Sequence, residues 1–127
     1  MEQLETEYSI STDLDRSELR YAISGMWTKD KMKDFLVELA EKAKPLIDRP
    51  GAFGTLGDHT GYVTQDRETA DTIRHTLAQA EPNGLDRLAL ITSSSLVRLQ
   101  FKRINSGLEL EFFDSKSDAL SWLRRPR

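Results

Sequence analysis

The sequence contains no cysteine among its 127 residues. This absence excludes disulfide scaffolds, thiolate zinc sites and cysteine nucleophiles. Histidine is also scarce, with two residues, so a metal site would need a set of carboxylates, and no spacing in the sequence indicates one. We therefore expect no bound metal and no cofactor.

The chain also lacks an excess of one charge and a long apolar run. Eighteen basic residues stand against 21 acidic ones, a net charge of −3, and this balance predicts no binding to nucleic acid. The longest wholly aliphatic run is Leu88–Ile91, whereas a membrane span needs about 20 apolar residues. The opening segment MEQLETEY has neither the basic n-region nor the apolar h-region of a secretory signal. We expect one soluble, cytoplasmic domain over residues 1–127.

The first half of the chain predicts a hairpin followed by a helix. Two segments with alternating apolar residues, EYSISTDL and ELRYAISG, are joined near Asp15–Ser17 and favour antiparallel pairing. The next apolar residues recur at the spacing of an amphipathic helix. Thr28 is its predicted N-cap, Trp27 is expected to pack on Met32, and Pro45 is expected to mark its end.

The rest of the chain alternates strands with helices. GAFGTLGD and RLALIT are interpreted as buried strands, with a helix over roughly 66–80 between them, and two further helices flank the alternating segment LELEFF. The predicted order is ββαβαβαβα. This order predicts an α/β fold with a mostly parallel five-stranded sheet, helices packed on it and one antiparallel strand at or near an edge.

The segment GDHTGY at 57–62 is interpreted as a glycine-bracketed turn. An acid, a histidine and a hydroxyl are the materials of nucleophilic catalysis, but neighbours on a turn rarely converge as a triad must. We expect Asp58 to end a strand, His59 and Thr60 to line an exposed turn, and Gly61 to relieve strain in the backbone of that turn. The sequence therefore predicts no enzymatic activity.

Three loops are expected at the C-terminal ends of the parallel strands, where open sheets bind ligands. These loops are Gly25–Thr28, Asp58–Thr64 and Thr92–Ser95, and each leads to a helix N-terminus whose free N–H groups favour anions. Serine there is also a common N-cap without any ligand. These three loops together are called the rim. The rim is predicted to contact an anion, a small ligand or a partner through Thr28, Asp58, His59, Thr60, Gly61, Ser93, Ser94 and Ser95.

Three segments carry a resemblance to a known family. FFDSKSDALSWLR, the pair Gly61-Tyr62 and LDRLALIT resemble the SpoIIAA-like branch of the STAS-fold domains, whose relatives include anti-sigma-factor antagonists. The resemblance covers nearly the whole chain, from about residue 8 to residue 124. It implies a SpoIIAA/STAS-like fold and a non-enzymatic domain that acts by binding another protein or itself, a homodimer included.

The regulatory members of this fold carry a phosphorylatable serine in an Asp-Ser-Ser-Gly turn at the start of the second helix. The resemblance places Asp58-His59-Thr60-Gly61 at that turn, with His59 at the position of the phospho-acceptor. We therefore expect the phospho-acceptor serine to be missing. A shifted register would leave Thr60 or Thr64 as an acceptor.

Two other functions stay open at this point. CRAL–TRIO lipid-exchange domains have a related core, so the alternative is a small-molecule or lipid-binding protein of that kind, which needs a sizeable cavity. The remaining alternative is a hydrolase centred on His59.

Overall fold

A computed structural model of the chain describes residues 7–62, 67–105 and 108–126. The described residues form five strands and four α-helices, and a short 3-10 helix over Glu81–Asn83 precedes the fourth strand. The predicted order ββαβαβαβα is confirmed. The elements are β1 (Glu7–Asp13), β2 (Glu18–Gly25), α1 (Lys29–Ile47), β3 (Phe53–Tyr62), α2 (Arg67–Ala80), β4 (Leu85–Ile91), α3 (Ser95–Ile104), β5 (Glu109–Phe113) and α4 (Lys116–Leu123).

The strands form one sheet in the order β1-β2-β3-β4-β5. β1 pairs antiparallel with β2, and the other three pairs are parallel. The predicted α/β fold with a mostly parallel sheet and an antiparallel edge strand is therefore confirmed. Since Asp58 pairs with Ile91 at the end of β4, the last four residues of β3 extend past β4 and run beside β2.

Helices cover the two faces of the sheet unequally. α1, α2 and α3 pack on one face, where alternate strand residues such as Leu19, Phe53 and Leu90 form the larger core. On the other face, Ala119 and Leu123 of α4 pack on the residues Leu56, Ala89 and Ile91. The β1–β2 part of this second face retains partly exposed side chains, including Arg20, Ala22 and Ser24.

Three of the described helices begin at a threonine or serine cap, as predicted for α1 and α3. Thr28 accepts a hydrogen bond from the backbone N of Lys31 at 3.1 Å, and Ser94 and Ser115 cap α3 and α4 in the same way. Pro45 does not end α1, which continues to Ile47, so that prediction is wrong. Proline removes one N–H from the ladder, and here Pro45 lies on the exposed side of the last turn of the helix. Among the helices described, none is long and apolar enough to cross a membrane.

Two buried charged residues hold α4 in place. Glu18 is 2% exposed, and its carboxylate accepts hydrogen bonds from Arg124 at 2.7 Å and Arg20 at 2.8 Å. Burial alone would raise the pKa of Glu18, but the hydrogen bonds from Arg124 and Arg20 lower it below its usual value. Arg87 of β4 donates to the carbonyl oxygens of Leu123 and Arg125 at 3.3 and 2.7 Å. These contacts satisfy the C-terminal end of α4 against the sheet.

Candidate functional site

The segment 57–62 is not a turn but the second half of β3. Its side chains alternate between the two faces of the sheet as far as Thr60, so His59 is 1% exposed inside the core while Thr60 is exposed on the opposite side. An irregularity in the pairing with β2 between Asp58 and Gly61 then returns Tyr62 to the core. The predictions that Asp58 ends a strand and that His59 and Thr60 line an exposed turn are therefore wrong.

The two glycines of this segment allow close packing and do not reverse the chain. A Cβ at Gly57 would lie 2.5 Å from Cζ of Tyr21 and 2.8 Å from Cδ2 of Leu90. A Cβ at Gly61 would lie 2.8 Å from Cβ of Ser24 on the neighbouring strand. Glycine thus makes room for side chains of β2, which is its other common use in a strand.

Asp58, His59 and Thr60 do not converge. Oδ1 of Asp58 accepts hydrogen bonds from the backbone N of Thr60 at 3.0 Å and from its hydroxyl at 2.5 Å. This pair faces a shallow depression beside Ser9 and Ser24, on the face of the sheet away from His59. A nucleophile, a base and an orienting acid are therefore not assembled from these three residues.

The remaining rim residues serve as helix caps or lie exposed. Ser94 caps α3 through a 3.2 Å hydrogen bond from the backbone N of Val97, and its own N–H donates to the Thr92 hydroxyl at 3.1 Å. Ser93 and Ser95 are exposed, as is the α1 cap Thr28. In the described parts of the chain, no hydrogen bond joins these residues to Asp58–Gly61. Binding of an anion or a partner at this rim stays a prediction.

The placement of the phospho-acceptor turn at Asp58–Gly61 is also wrong, because these residues belong to β3. The segment immediately before α2 is 63–66, which includes Thr64 and lies outside the described residues. The expected absence of a phospho-acceptor serine therefore stays a prediction.

A buried histidine paired with a half-buried tyrosine occupies the inner face of the sheet, and sequence reasoning missed it. Oη of Tyr21 and Nε2 of His59 are 2.8 Å apart. The imidazole lies against the rings of Tyr62 and Phe101, with centroid distances of 5.1 and 4.9 Å. Its Nδ1 is buried and has no hydrogen-bond partner among the described residues. The available signal was the alternation Thr55, Gly57, His59, which continues the buried face of β3.

Burial shifts the pKa of each member of this pair in the direction that favours its neutral form. It lowers the pKa of His59 to about 3, and the nearby charge of Asp58 opposes this shift only in part. Burial also raises the pKa of the Tyr21 hydroxyl above its usual value. At neutral pH the pair is an uncharged phenol hydrogen-bonded to an uncharged imidazole.

The Tyr21–His59 pair lines a cavity of about 210 Å³ between α1, α2 and the sheet. None of the described residues that line the cavity is charged. Several of the helix residues at its walls are only half-buried, so the cavity opens to the surface between α1 and α2. The helix walls are mainly apolar, with Thr76 and Gln79 of α2 as their polar members; the apolar residues include Leu36, Leu39, Ala43, Ile73, Leu77 and Ala80.

The geometry of the cavity favours the binding of a small molecule. In the described parts of the chain, no group of three or more His, Asp or Glu side chains could hold a metal ion. An apolar enclosure with a few convergent polar groups is the usual form of a small-molecule site. The cavity is therefore the candidate functional site of this fold.

No family model matches the sequence, and no curated protein matches it. Among solved structures, the chain is similar to an uncharacterized protein of the DUF3478 family with a SpoIIAA-like fold from Shewanella loihica PV-4. The two chains are 23% identical, with a TM-score of 0.72 over 97% of this chain and 98% of that one. A similarity at this level of identity shows the fold. The chain therefore has the SpoIIAA-like fold, as its sequence resemblance predicted.

Proposed function

We propose that this SpoIIAA-like domain is a non-enzymatic binding module and that it takes up a small, largely apolar molecule in the cavity between α1 and α2. The observation that carries the proposal is the cavity of about 210 Å³ with the Tyr21–His59 pair on its floor. Protein interiors contain few voids larger than a water molecule, and an empty apolar cavity destabilises the fold. A ligand that fills this cavity would recover the lost contacts.

The non-enzymatic part of the proposal is supported by the state of the polar groups. His59 is held neutral and hydrogen-bonded to Tyr21, and Asp58 and Thr60 are bonded to each other on the opposite face of the sheet. A general base would need a pKa nearer to neutral and contact with an activatable hydroxyl. This arrangement suits recognition of a ligand rather than turnover of a substrate.

The size of the cavity favours a small molecule over a lipid. An engineered apolar cavity of about 150 Å³ binds benzene, and sites for drug-sized ligands begin near 300 Å³. A cavity of about 210 Å³ lies between these values and fits one ring with a short substituent. Of the two ligands in the CRAL–TRIO-like alternative, the small molecule is therefore the better supported.

Filling the cavity is expected to abolish uptake of an apolar probe. The double variant Ala43→Leu/Ala80→Leu adds six carbon atoms to two lining positions, and we expect it to weaken binding of α-methylstyrene at least tenfold. Ala78→Leu places the same side chain on the exposed side of α2 and serves as the matched control. Protein-observed NMR titration measures the affinities, and circular dichroism checks that each variant is folded. Absence of saturable binding to the parent chain, or equal binding by the filled variant, contradicts the proposal.

A second candidate function is docking of another protein on the surface between α2 and α3. Leu96 and Leu99 are 67% and 46% exposed there. Arg67, Arg74 and Arg103 line the same depression, and the one acidic residue among its lining, Asp71, pairs with Arg74 at 3.0 Å. Because a two-fold contact of this surface with itself would bring arginines near arginines, the charge favours an acidic partner over a homodimer.

This surface is tested by placing a charge in its apolar part. We expect Leu96→Glu to abolish capture of an acidic partner from lysate at low salt, because it removes apolar area and adds a charge of the same sign as the partner's. Val37→Glu, which alters an exposed apolar residue of α1 (60% exposed), is the control and should capture the partner normally. Sedimentation of the parent chain should give a 14.5 kDa monomer. A dimer that Leu96→Glu dissociates would contradict the acidic-partner assignment.

A further inference from the structure

We infer that the molecule held in the cavity is uncharged, carries a single small ring and presents one hydrogen-bond acceptor, which the Tyr21 hydroxyl recognises. An aryl ketone, aldehyde or ether has this chemistry. The inference rests on the proposed function and adds the class of the ligand. It is drawn from the cavity's lining, its volume and the hydrogen-bonding state of His59.

The lining requires an uncharged occupant. None of the described lining residues is charged, and the polar groups on the sheet side, from Thr55, Tyr21 and His59, are all neutral. A carboxylate or an ammonium group transferred into such a site would lose its hydration without gaining a counter-charge. Small carboxylates, amino acids and phosphate esters, whose charge would lie inside the cavity, are therefore poor ligands.

The hydrogen-bonding state of His59 determines which polar group the ligand needs. One hydrogen lies between Oη of Tyr21 and Nε2 of His59, which are 2.8 Å apart. If Tyr21 donated it, the imidazole hydrogen would be on Nδ1, which is buried without a partner among the described residues. Buried N–H groups without acceptors are rarer than acceptors without donors. The Nε2–H tautomer is therefore favoured, and it donates to Tyr21.

This tautomer frees the phenolic hydrogen of Tyr21. The Tyr21 oxygen accepts from His59, and no other hydrogen bond of this hydroxyl is found among the described residues. Tyr21 lines the cavity, so its O–H is available to an oxygen or nitrogen acceptor of the occupant. The tyrosine thus acts as the donor, and His59 positions it.

The inference is tested with a pair of probes of matched shape. Acetophenone carries a carbonyl oxygen where α-methylstyrene carries a methylene group, so the two differ chiefly in the acceptor. Tyr21→Phe is expected to weaken acetophenone binding about fivefold to tenfold, the usual effect of one hydrogen bond, and to leave α-methylstyrene within about twofold. Tyr62→Phe is the matched control because the Tyr62 hydroxyl is also buried but does not line the cavity. It should change neither affinity.

Each outcome separates this inference from the proposed function. If α-methylstyrene binds the parent chain but Tyr21→Phe weakens both probes equally or neither, the acceptor assignment is overturned and the cavity function stands. Benzoate binding as tightly as acetophenone overturns the requirement for a neutral ligand. An imidazole ¹⁵N spectrum with the hydrogen on Nδ1 of His59 overturns the donor role of Tyr21. If neither neutral probe binds, the proposed function itself fails.

Discussion

Replacing Gly57 with alanine is expected to destabilise the fold by about 3 kcal/mol, at the upper end of the range for overpacked cores. The added Cβ would lie 2.5 Å from the Tyr21 ring and 2.8 Å from Leu90. Neither the strand nor the Tyr21 ring can move easily, because β3 is hydrogen-bonded on both edges and the ring is held by His59 and Phe35. The entropic benefit of losing a glycine, about 0.4–1 kcal/mol, is too small to compensate. Urea denaturation measures the change.

A double-mutant cycle identifies the cause of this loss. In a Tyr21→Leu background the ring is absent, so the cost of Gly57→Ala should fall below about 1 kcal/mol, within the range of tolerated core changes. The Leu90 methyl group, at the end of a flexible side chain, can move aside. An equal cost of Gly57→Ala in both backgrounds would contradict the close approach of Tyr21 to Gly57.

Periodicity in the sequence was sufficient to predict the fold. The amphipathic spacing in α1, the alternation in the hairpin and the apolar run of β4 each indicate one type of secondary structure, and other types fit these patterns poorly. The caps at Thr28, Ser94 and Ser115 follow from local hydrogen bonding, which depends on neighbouring residues alone. Element order then restricts the sheet to a few topologies.

The candidate site was not predicted because its residues are far apart in sequence. Tyr21 and His59 are 38 positions apart and meet through the pairing of β2 with β3, which places Tyr21 opposite Gly57. The glycines and polar residues of 57–62 are typical of turns, and that local signal concealed the continuing alternation of β3. The cavity itself arises from the imperfect closure of α1 and α2 over the sheet, and residue patterns do not report such gaps.

Lowering the pH from 7 to 5 is expected to reduce the free energy of unfolding by about 2 kcal/mol through His59 alone. Burial lowers its pKa in the folded protein to about 3, whereas in the unfolded chain the pKa is near 6.5. Below pH 6.5 the unfolded state therefore binds a proton that the folded state does not, so stability is lost as the pH falls towards 3. The His59 contribution is fully present only above pH 6.5.

Two histidine variants isolate this effect. His59→Gln retains a hydrogen-bonding side chain next to Tyr21 but does not titrate, so most of the 2 kcal/mol difference between pH 7 and pH 5 should disappear. His75→Gln alters the exposed histidine of α2 and should keep the full difference. The pKa of Glu18 is lowered in the folded protein, so Glu18 stabilises the fold above the ordinary carboxyl range and loses this contribution as the pH falls below that range. It therefore does not interfere with the measurement above pH 5. If the parent chain were equally stable at pH 7 and pH 5, His59 would be protonated within the fold at pH 5, and burial would not hold the Tyr21–His59 pair neutral at that pH.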